Sequence, residues 1–367
     1  MNLFLLTAPY QVLNALEAIH HFRFSNNHLR IIDTGHFTRT QFENIINLAN
    51  WQSVKFYDFC YKIVSRDFGK NRPRNLLERL FECYLVVDQI RKRWLADRIA
   101  KGIGQLEHLI LGNYQRDYDG HMRHIANRLR FRELYLLDVG TDTLRISRDR
   151  ELDHATESTS IEAAPRCAFK RIKQIIKSAL LDWDTRGVPA LTFFTTYDLT
   201  PSDQDRVIHN ECAYMKSLVA GAAAGEEVFF VGQPLVDQGY ISRENFSAGI
   251  GRIKEFFSGQ RLIYIPHPRE SEAQMDVVRS LDLKIRRLTV PFEYAVAFNR
   301  ERPRCISSFF SSVLENSATI FGDSLAVRAF RLPEAVLLKD RAEVAHVYAQ
   351  FQANRRVKIE IVDIHSG

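Results

Sequence analysis

The sequence predicts an α/β protein of two Rossmann-like halves, each built on a parallel sheet, facing each other across a central cleft. Three observations predict it. Short apolar runs of strand length alternate with amphipathic stretches of helical period, the pattern of parallel strands joined by crossover helices. The alternation stops in a polar stretch at residues 141–165 and resumes after "DTRGVP" at 184–189. The length of 367 residues also exceeds what one ordinary core serves. The expected division is residues 1–185 and 186–367.

Taken in order, "NLFLLT" reads as a strand and "YQVLNALEAIHHF" as a helix. "LRIIDTG" is a strand ending at Gly35, and "TRTQFENIINLAN" a helix capped by Thr38 or Thr40. "VKFYDF" is a strand, residues 74–102 a long charged helix, "HLILGN" a strand, "DGHMRHIANRL" a helix and "ELYLLDVG" a strand. "HATESTS" marks the least structured part of the chain, and "RCAFKRIKQIIKSALLDW" a helix. The second series opens with the strands "ALTFFTTYDL" and "EVFFVGQPL". It continues through helix "SRENFSAGIGRIKEFFS", strand "RLIYIPHP", helix "SEAQMDVVRSL", the short strand "RCISSF", helix "SSVLENSA" and a late helix "RAEVAHVYAQFQ".

Composition excludes several classes. Lys and Arg exceed Asp and Glu by 50 to 44, a net charge of +6, which suits an anionic ligand, an anionic membrane surface or nucleic acid alike. The basic clusters are short ("RKR" at 91–93, "RR" at 355–356) and no nucleic-acid module is recognisable, so nucleic acid is not an expected partner. Five cysteines (Cys60, Cys83, Cys167, Cys212, Cys305) are scattered without a CxxC pair, which suggests neither a zinc ribbon nor a disulfide framework and fits a reducing, cytoplasmic setting. The apolar start lacks a basic flank and is soon interrupted, so it reads as a first buried strand, not as a secretory signal or a membrane span.

In open α/β sheets, ligands bind beyond the carboxyl ends of the strands. Three strand ends stand out. In "LYLLDVGTDT", Asp138 stands at the tip with Gly140 just after it, either a general base facing a cleft or a turn aspartate held by nearby amides. In "YIPHPRE", Pro266 and Pro268 restrict the backbone on both sides of His267. The histidine is then either a rigid strand terminator or an imidazolium presented to a phosphate. In "ISSFFSSVLEN", four serines (Ser307, Ser308, Ser311, Ser312) precede a helix, where they either cap it or add hydroxyls to an anion site at its positive end. Neither a Walker loop nor GxGxxG is present. "DYD" at 117–119 reads as a loop and helix cap, and "RDFGK" at 66–70 as a turn.

These stretches together resemble the bacterial sialyltransferases of GT-B type, the lipooligosaccharide sialyltransferase and polysialyltransferase-like families. "YIPHPRE" is similar to their histidine–proline motif, "FFSSVLEN" to their paired serines and "LLDVG" to their acidic motif. "TAPYQVLNALE", "FFTTYDL", "VGQPL" and "PFEYAV" are further similar stretches, in the family's order.

The resemblance implies the GT-B fold and an inverting, metal-independent transfer from a CMP-sialic acid-type donor to a hydroxyl of a bacterial surface glycan. It implies no cofactor. His267 would meet the donor phosphate with Ser311 and Ser312, and Ser307 and Ser308 form a second, less well-placed pair. Glu293 would face the ribose or cytosine, and Asp138 would take the acceptor proton. Gln11, Gly140, Gly232 and Pro268 lie in matched stretches and count as substrate-contacting positions. The family's second acid is Val139 here, so Asp142 and Asp237 are the substitutes for the base. Expected partners are the donor and an oligosaccharide or glycolipid acceptor. Peripheral attachment to the inner membrane and homodimerisation are compatible with the chain. Alternatives are another GT-B enzyme using CMP-Kdo or a UDP- or GDP-sugar, or a noncatalytic glycan-binding protein.

Overall fold

A computed structural model of the chain describes residues 1–58, 93–114, 122–140, 142–157, 189–298 and 301–364. The first sheet has seven strands: β1 (Asn2–Leu6), β2 (Asn27–Asp33), β3 (Trp51–Asp58), β4 (Leu106–Leu111), β5 (Phe131–Leu137), β6 (Thr192–Thr195) and β7 (Arg206–His209). Their order is β3-β2-β1-β4-β5-β6-β7, and each neighbouring pair is parallel. All five β1 residues are buried because both faces of the sheet are covered. Leu3 and Leu5 join Leu109 and Leu134 in a core on one face, while Phe4 and Leu6 join Ile110 and Tyr135 on the other, as strand alternation dictates.

After a short pair, β8 (Ala223–Ala224) with β12 (Glu301–Arg302), the second sheet is built from β9 (Glu227–Val231), β10 (Arg261–Ile265), β11 (Lys284–Ile285), β13 (Cys305–Ser308), β14 (Ala326–Arg331) and β15 (Glu360–Asp363). Its order is β11-β10-β9-β13-β14-β15, again all parallel. Both sheets therefore run outward from their first strand and then reverse. That is the doubly wound order, with a switch point between β1 and β4 in one half and between β9 and β13 in the other. Two such halves facing a cleft are the GT-B architecture.

The boundary differs from the expected 185/186 division. β6, read from the sequence as a strand of the second half, and β7, which that reading did not mark as a strand, hydrogen-bond into the first sheet, which continues to His209. The strand pattern of "ALTFFTT" is the same in either sheet, so only pairing could decide. The polar stretch near 141–165 also departs from expectation, since Asp142–Glu157 is a helix. Leu144 and Ile146 enter the cores, and a polar anchor adds to them: Arg150 donates to both oxygens of Asp205, at 2.6 and 2.5 Å, in a nearly inaccessible pair. A hydrophobic-period reading cannot see such an anchor. Of the expected helix 74–102 only residues from 93 onward are described. The expected helix in "RCAFKRIKQIIKSALLDW", together with "DYD" and "RDFGK", lies outside the described residues.

The helix Ala213–Val219 sits at the seam and packs on helices Pro9–Phe22, Phe292–Phe298 and Val313–Phe321. Its first amides find an unusual cap. Glu17, 3% exposed, accepts from Tyr214 N at 2.9 Å and Met215 N at 2.7 Å. A carboxylate from the first half thus takes the place of a local N-cap, which Cys212 cannot supply. Among the described residues no helix is long and apolar enough to cross a membrane.

Candidate active site

A cleft of about 420 Å³ lies between the halves. The loop after β1 with Val139, Gly140 and Asp142 lines one wall; the ends of β9, β10 and β13 line the other. It therefore spans the switch point of the second sheet, where open α/β sheets bind ligands.

His267 is half-buried on the second wall, just beyond β10. Its backbone N–H donates to Glu270 Oε1 at 2.6 Å, and its ring Nδ1 accepts from Arg269 N at 3.0 Å. Burial, helped by the Arg269 charge, pushes the imidazole down to about 4. Burial therefore favours a neutral ring, with Nδ1 taken by the Arg269 amide and Nε2–H left as donor. A phosphate brought beside the ring would raise this value, because an opposite charge favours the cation. Pro268 lies in the exposed turn that follows and lines the cleft.

Ser311 and Ser312 stand at the start of helix Val313–Phe321 and line the same wall. Ser311 Oγ accepts only a long bond from Val313 N, at 3.3 Å, so its hydroxyl hydrogen is available to a ligand. Gly140 faces them from the first half. Its φ is +68°, and a Cβ there would come within 3.1 Å of Ser312 Oγ, so a glycine is needed both for the turn and for the approach of the two walls. Ser307 and Ser308 do not belong to this group. Both are fully buried and donate to β9 carbonyls, Ser307 to Phe229 O at 3.0 Å and Ser308 to Val231 O at 2.6 Å. Being inside a strand turns these hydroxyls onto the neighbouring strand, and the expectation that they contact phosphate is corrected.

Glu293 lines the floor, 5% exposed, with its carboxyl raised by burial. Asn316 Nδ2 donates to Glu293 Oε1 and to Tyr10 Oη, both at 2.8 Å, so this acid is tied to the first half through one amide. Gln11 borders the cleft, but its amide is spent internally. Oε1 accepts from Thr7 N at 2.7 Å and Nε2 donates to Gly112 O at 2.8 Å. It shapes the loop after β1, and the substrate contact expected of it is not what its hydrogen bonds serve.

The three candidate bases separate. Asp138 is 1% exposed, beneath the cleft surface formed by Val139 and Gly140. Its Oδ2 accepts from Thr196 N at 2.8 Å, while Oδ1 is buried without a hydrogen-bond partner. Burial pushes its carboxyl up to about 6. Asp142, first residue of its helix, stands on the cleft wall with its side chain half-exposed. Asp237 is exposed outside the cleft lining and accepts from Ser271 N and Oγ at 2.7 and 2.5 Å. That turn-and-cap role removes it as a candidate.

Two contributors escaped the sequence reading. Arg269 is the one cation among the described residues lining the cleft, and its guanidinium lies 6.0 Å from the Phe37 ring of the opposite half. Glu270, 8% exposed and pushed up to about 7 by burial, holds the His267 backbone and accepts from Tyr264 Oη at 2.7 Å. The signal for Glu270 was the His-x-x-Glu spacing, in which a carboxyl reaches back to an amide three residues earlier, as in half a capping box. Gly232 belongs with this pair. It does not line the cleft, and a Cβ there would overlap Glu270 Oε1 and Tyr264 Oη. Gly232→Ala should therefore destabilise by about 1–3 kcal/mol through overpacking. A lower denaturant midpoint at unchanged slope would show it; an unchanged midpoint would contradict the crowding.

No family model matches the chain, and no curated protein matches its sequence. Among solved structures it is similar to an α/β-galactoside α-2,3-sialyltransferase from Photobacterium phosphoreum, at 13% identity over 98% of this chain and 97% of that one, with a TM-score of 0.45. A UDP-GlcNAc 2-epimerase from Neisseria meningitidis gives 9% identity over 98% and 94%, with a TM-score of 0.45. An E. coli heptosyltransferase gives 9% over 100% and 94%, with a TM-score of 0.42. Likenesses of this size bear on neither substrate nor chemistry.

Proposed function

We propose that the protein is a glycosyltransferase of sialyltransferase type, moving a sialic or related nonulosonic acid from a CMP donor to a hydroxyl of a surface glycan, with inversion and without a metal. The observation that carries this reading is the meeting, at one switch point, of a histidine after β10 and two serines at a helix start after β13. A histidine N–H beside hydroxyls at a helix N-terminus suits a single phosphate, whose charge grows as it leaves. The order of the sequence motifs supports CMP over other nucleotides.

In the proposed step the acceptor oxygen attacks the anomeric carbon as the bond from that carbon to the phosphate oxygen breaks. The electron pair goes to the phosphate, where His267 Nε2–H and the hydroxyls of Ser311 and Ser312 stabilise it. The acceptor proton goes to the Asp138 carboxylate, which lies just beneath Val139 and Gly140 and is reached once these part for the acceptor. Glu293 is the ribose or base contact, and Arg269 adds positive charge beside the donor. Burial between the halves excludes water, which would otherwise take the sugar.

The test is a thermal-shift titration of the parent with CMP, UDP and GDP. Stabilisation by CMP alone is expected, reaching about 2.7 kcal/mol at a hundredfold excess over Kd. Stabilisation by UDP or GDP instead would move the protein to another GT-B donor class. No response to any nucleotide would favour a noncatalytic glycan-binding role.

A further inference from the structure

The two arms assigned to the donor phosphate lie on different strand ends, 44 residues apart between His267 and Ser311. A chain of buried and half-buried hydrogen bonds joins them. It starts at the His267 backbone N–H, which donates to Glu270 Oε1 at 2.6 Å. The other carboxylate oxygen accepts from Tyr264 Oη at 2.7 Å and from Gln274 Nε2 at 3.0 Å. Gln274, 1% exposed, continues the chain: Nε2 also donates to Gln233 O at 2.8 Å, and Oε1 accepts from Val236 N at 3.0 Å. Gln233 then closes it, its Oε1 accepting from Phe310 N at 3.1 Å. Phe310 is the residue immediately before Ser311.

We infer that Glu270, Gln274 and Gln233 form a brace that sets the spacing of His267 against Ser311, and that they are positioning residues for departure of the phosphate. The inference rests on the reading of this cleft as a donor-phosphate site. Three physical points support it. A carboxylate and an amide at this depth are costly, and apolar residues of similar volume would pack as stably. What apolar residues could not do is accept the His267 and Phe310 amides. Both amides belong to loops beyond strand ends, where no sheet ladder fixes them. Finally, a catalytic group misplaced by about 1 Å loses roughly a hundredfold in rate, so a spacer of this kind has a function to preserve.

Each link makes a distinct demand. Glu270→Gln keeps the shape and an acceptor for His267 N–H, but turns an NH₂ group toward the Gln274 amide, so the chain opens at that point. Gln274→Leu opens it on both sides. The experiment measures kcat and KM for a CMP-sugar donor, the CMP thermal shift and the melting temperature for both variants. Each is made alone and combined with His267→Ala.

The expected result is a kcat lowered about 10- to 100-fold with donor KM within about threefold of the parent. In the His267→Ala background the same changes should cost under about threefold, because the arm they position is gone. Losses that multiply in full in that background, or a fall in melting temperature with unchanged kcat, would overturn the brace and leave a structural network. A parent with no CMP response would sink the donor-site reading itself. A parent that responds to CMP while the variants behave additively would sink the brace alone. Should Gln274→Leu not fold, the isosteric Glu270→Gln carries the test.

Discussion

Asp138→Asn is expected to lower kcat by about a hundredfold to ten-thousandfold, the range for a lost general base, while the CMP thermal shift survives. The expectation comes from how the residue is held. Thr196 fixes one carboxylate oxygen at 2.8 Å, and the Thr195 and Thr143 hydroxyls act on the same carboxylate. Asparagine keeps the volume and can still accept from Thr196, but it cannot take a proton. Asp142→Asn on the cleft wall is the comparison, expected to cost less than tenfold; the reverse ranking would transfer the role to Asp142. A pH profile gives a second reading. Burial places the Asp138 carboxyl at about 6, so kcat/KM should fall as pH drops through that value. Glu270, at about 7, titrates nearby, so the profile is taken in the parent and in Glu270→Gln. An acid limb near 6 in both belongs to Asp138; its disappearance in Glu270→Gln would assign it to Glu270. Stability moves the opposite way. Between the ordinary value of 3.8 and about 6 the folded state holds the extra proton, so the Asp138 contribution to stability declines as pH rises through that window. Asp138→Asn should flatten that slope.

His267→Ala should cost about a hundredfold to a thousandfold in kcat, as for other single donors aimed at developing charge. It should also weaken the CMP shift, because the same Nε2–H meets the phosphate in the ground state. The protein should still fold, since Glu270 keeps its bond to the backbone of the turn when the ring's bond from Arg269 N is lost. His267→Gln restores a side-chain N–H and should recover part of the loss. If His267→Ala binds CMP and turns over as the parent does, the phosphate lies elsewhere in the cleft. A smaller and separate effect is expected at Gly140. Gly140→Ala strains a φ of +68° and crowds Ser312, so donor turnover should fall while a CMP shift persists.

Much of the architecture could be read before any coordinates, because parallel strands buried on both faces leave continuous apolar runs, and crossover helices leave amphipathic ones. Sheet membership could not. The run "TFFT" carries no mark of which sheet it joins, and β7 (Arg206–His209) and β15 (Glu360–Asp363) are short, partly exposed edges with weak patterns. At the site, His267, Ser311 and Ser312 were legible because prolines and a helix start constrain where such groups point. Ser307 and Ser308 looked equivalent in one dimension, yet strand geometry turned them onto β9. His267's charge state was not legible at all. It depends on burial and on Arg269, and sequence shows neither the depth of a ring nor the direction of its neighbour's charge. Gln274 was hidden for a related reason, since its partners Gln233 and Val236 follow β9, remote in sequence, whereas the partners of Glu270 are local.

The late entry of β6 and β7 into the first sheet has a consequence for biosynthesis. A nascent chain released from the ribosome only as far as residue 185 would carry β5 as an open edge, with its outer amides and carbonyls unpaired. Such an edge recruits strands from other chains. The first domain can complete its sheet only after His209 has emerged, and the Glu17 carboxylate then still awaits the amides of Tyr214 and Met215. Cotranslational folding of this half is thus gated by the helix just beyond its last strand, and a fragment cut at 185 should aggregate where one cut beyond Val219 stays dispersed.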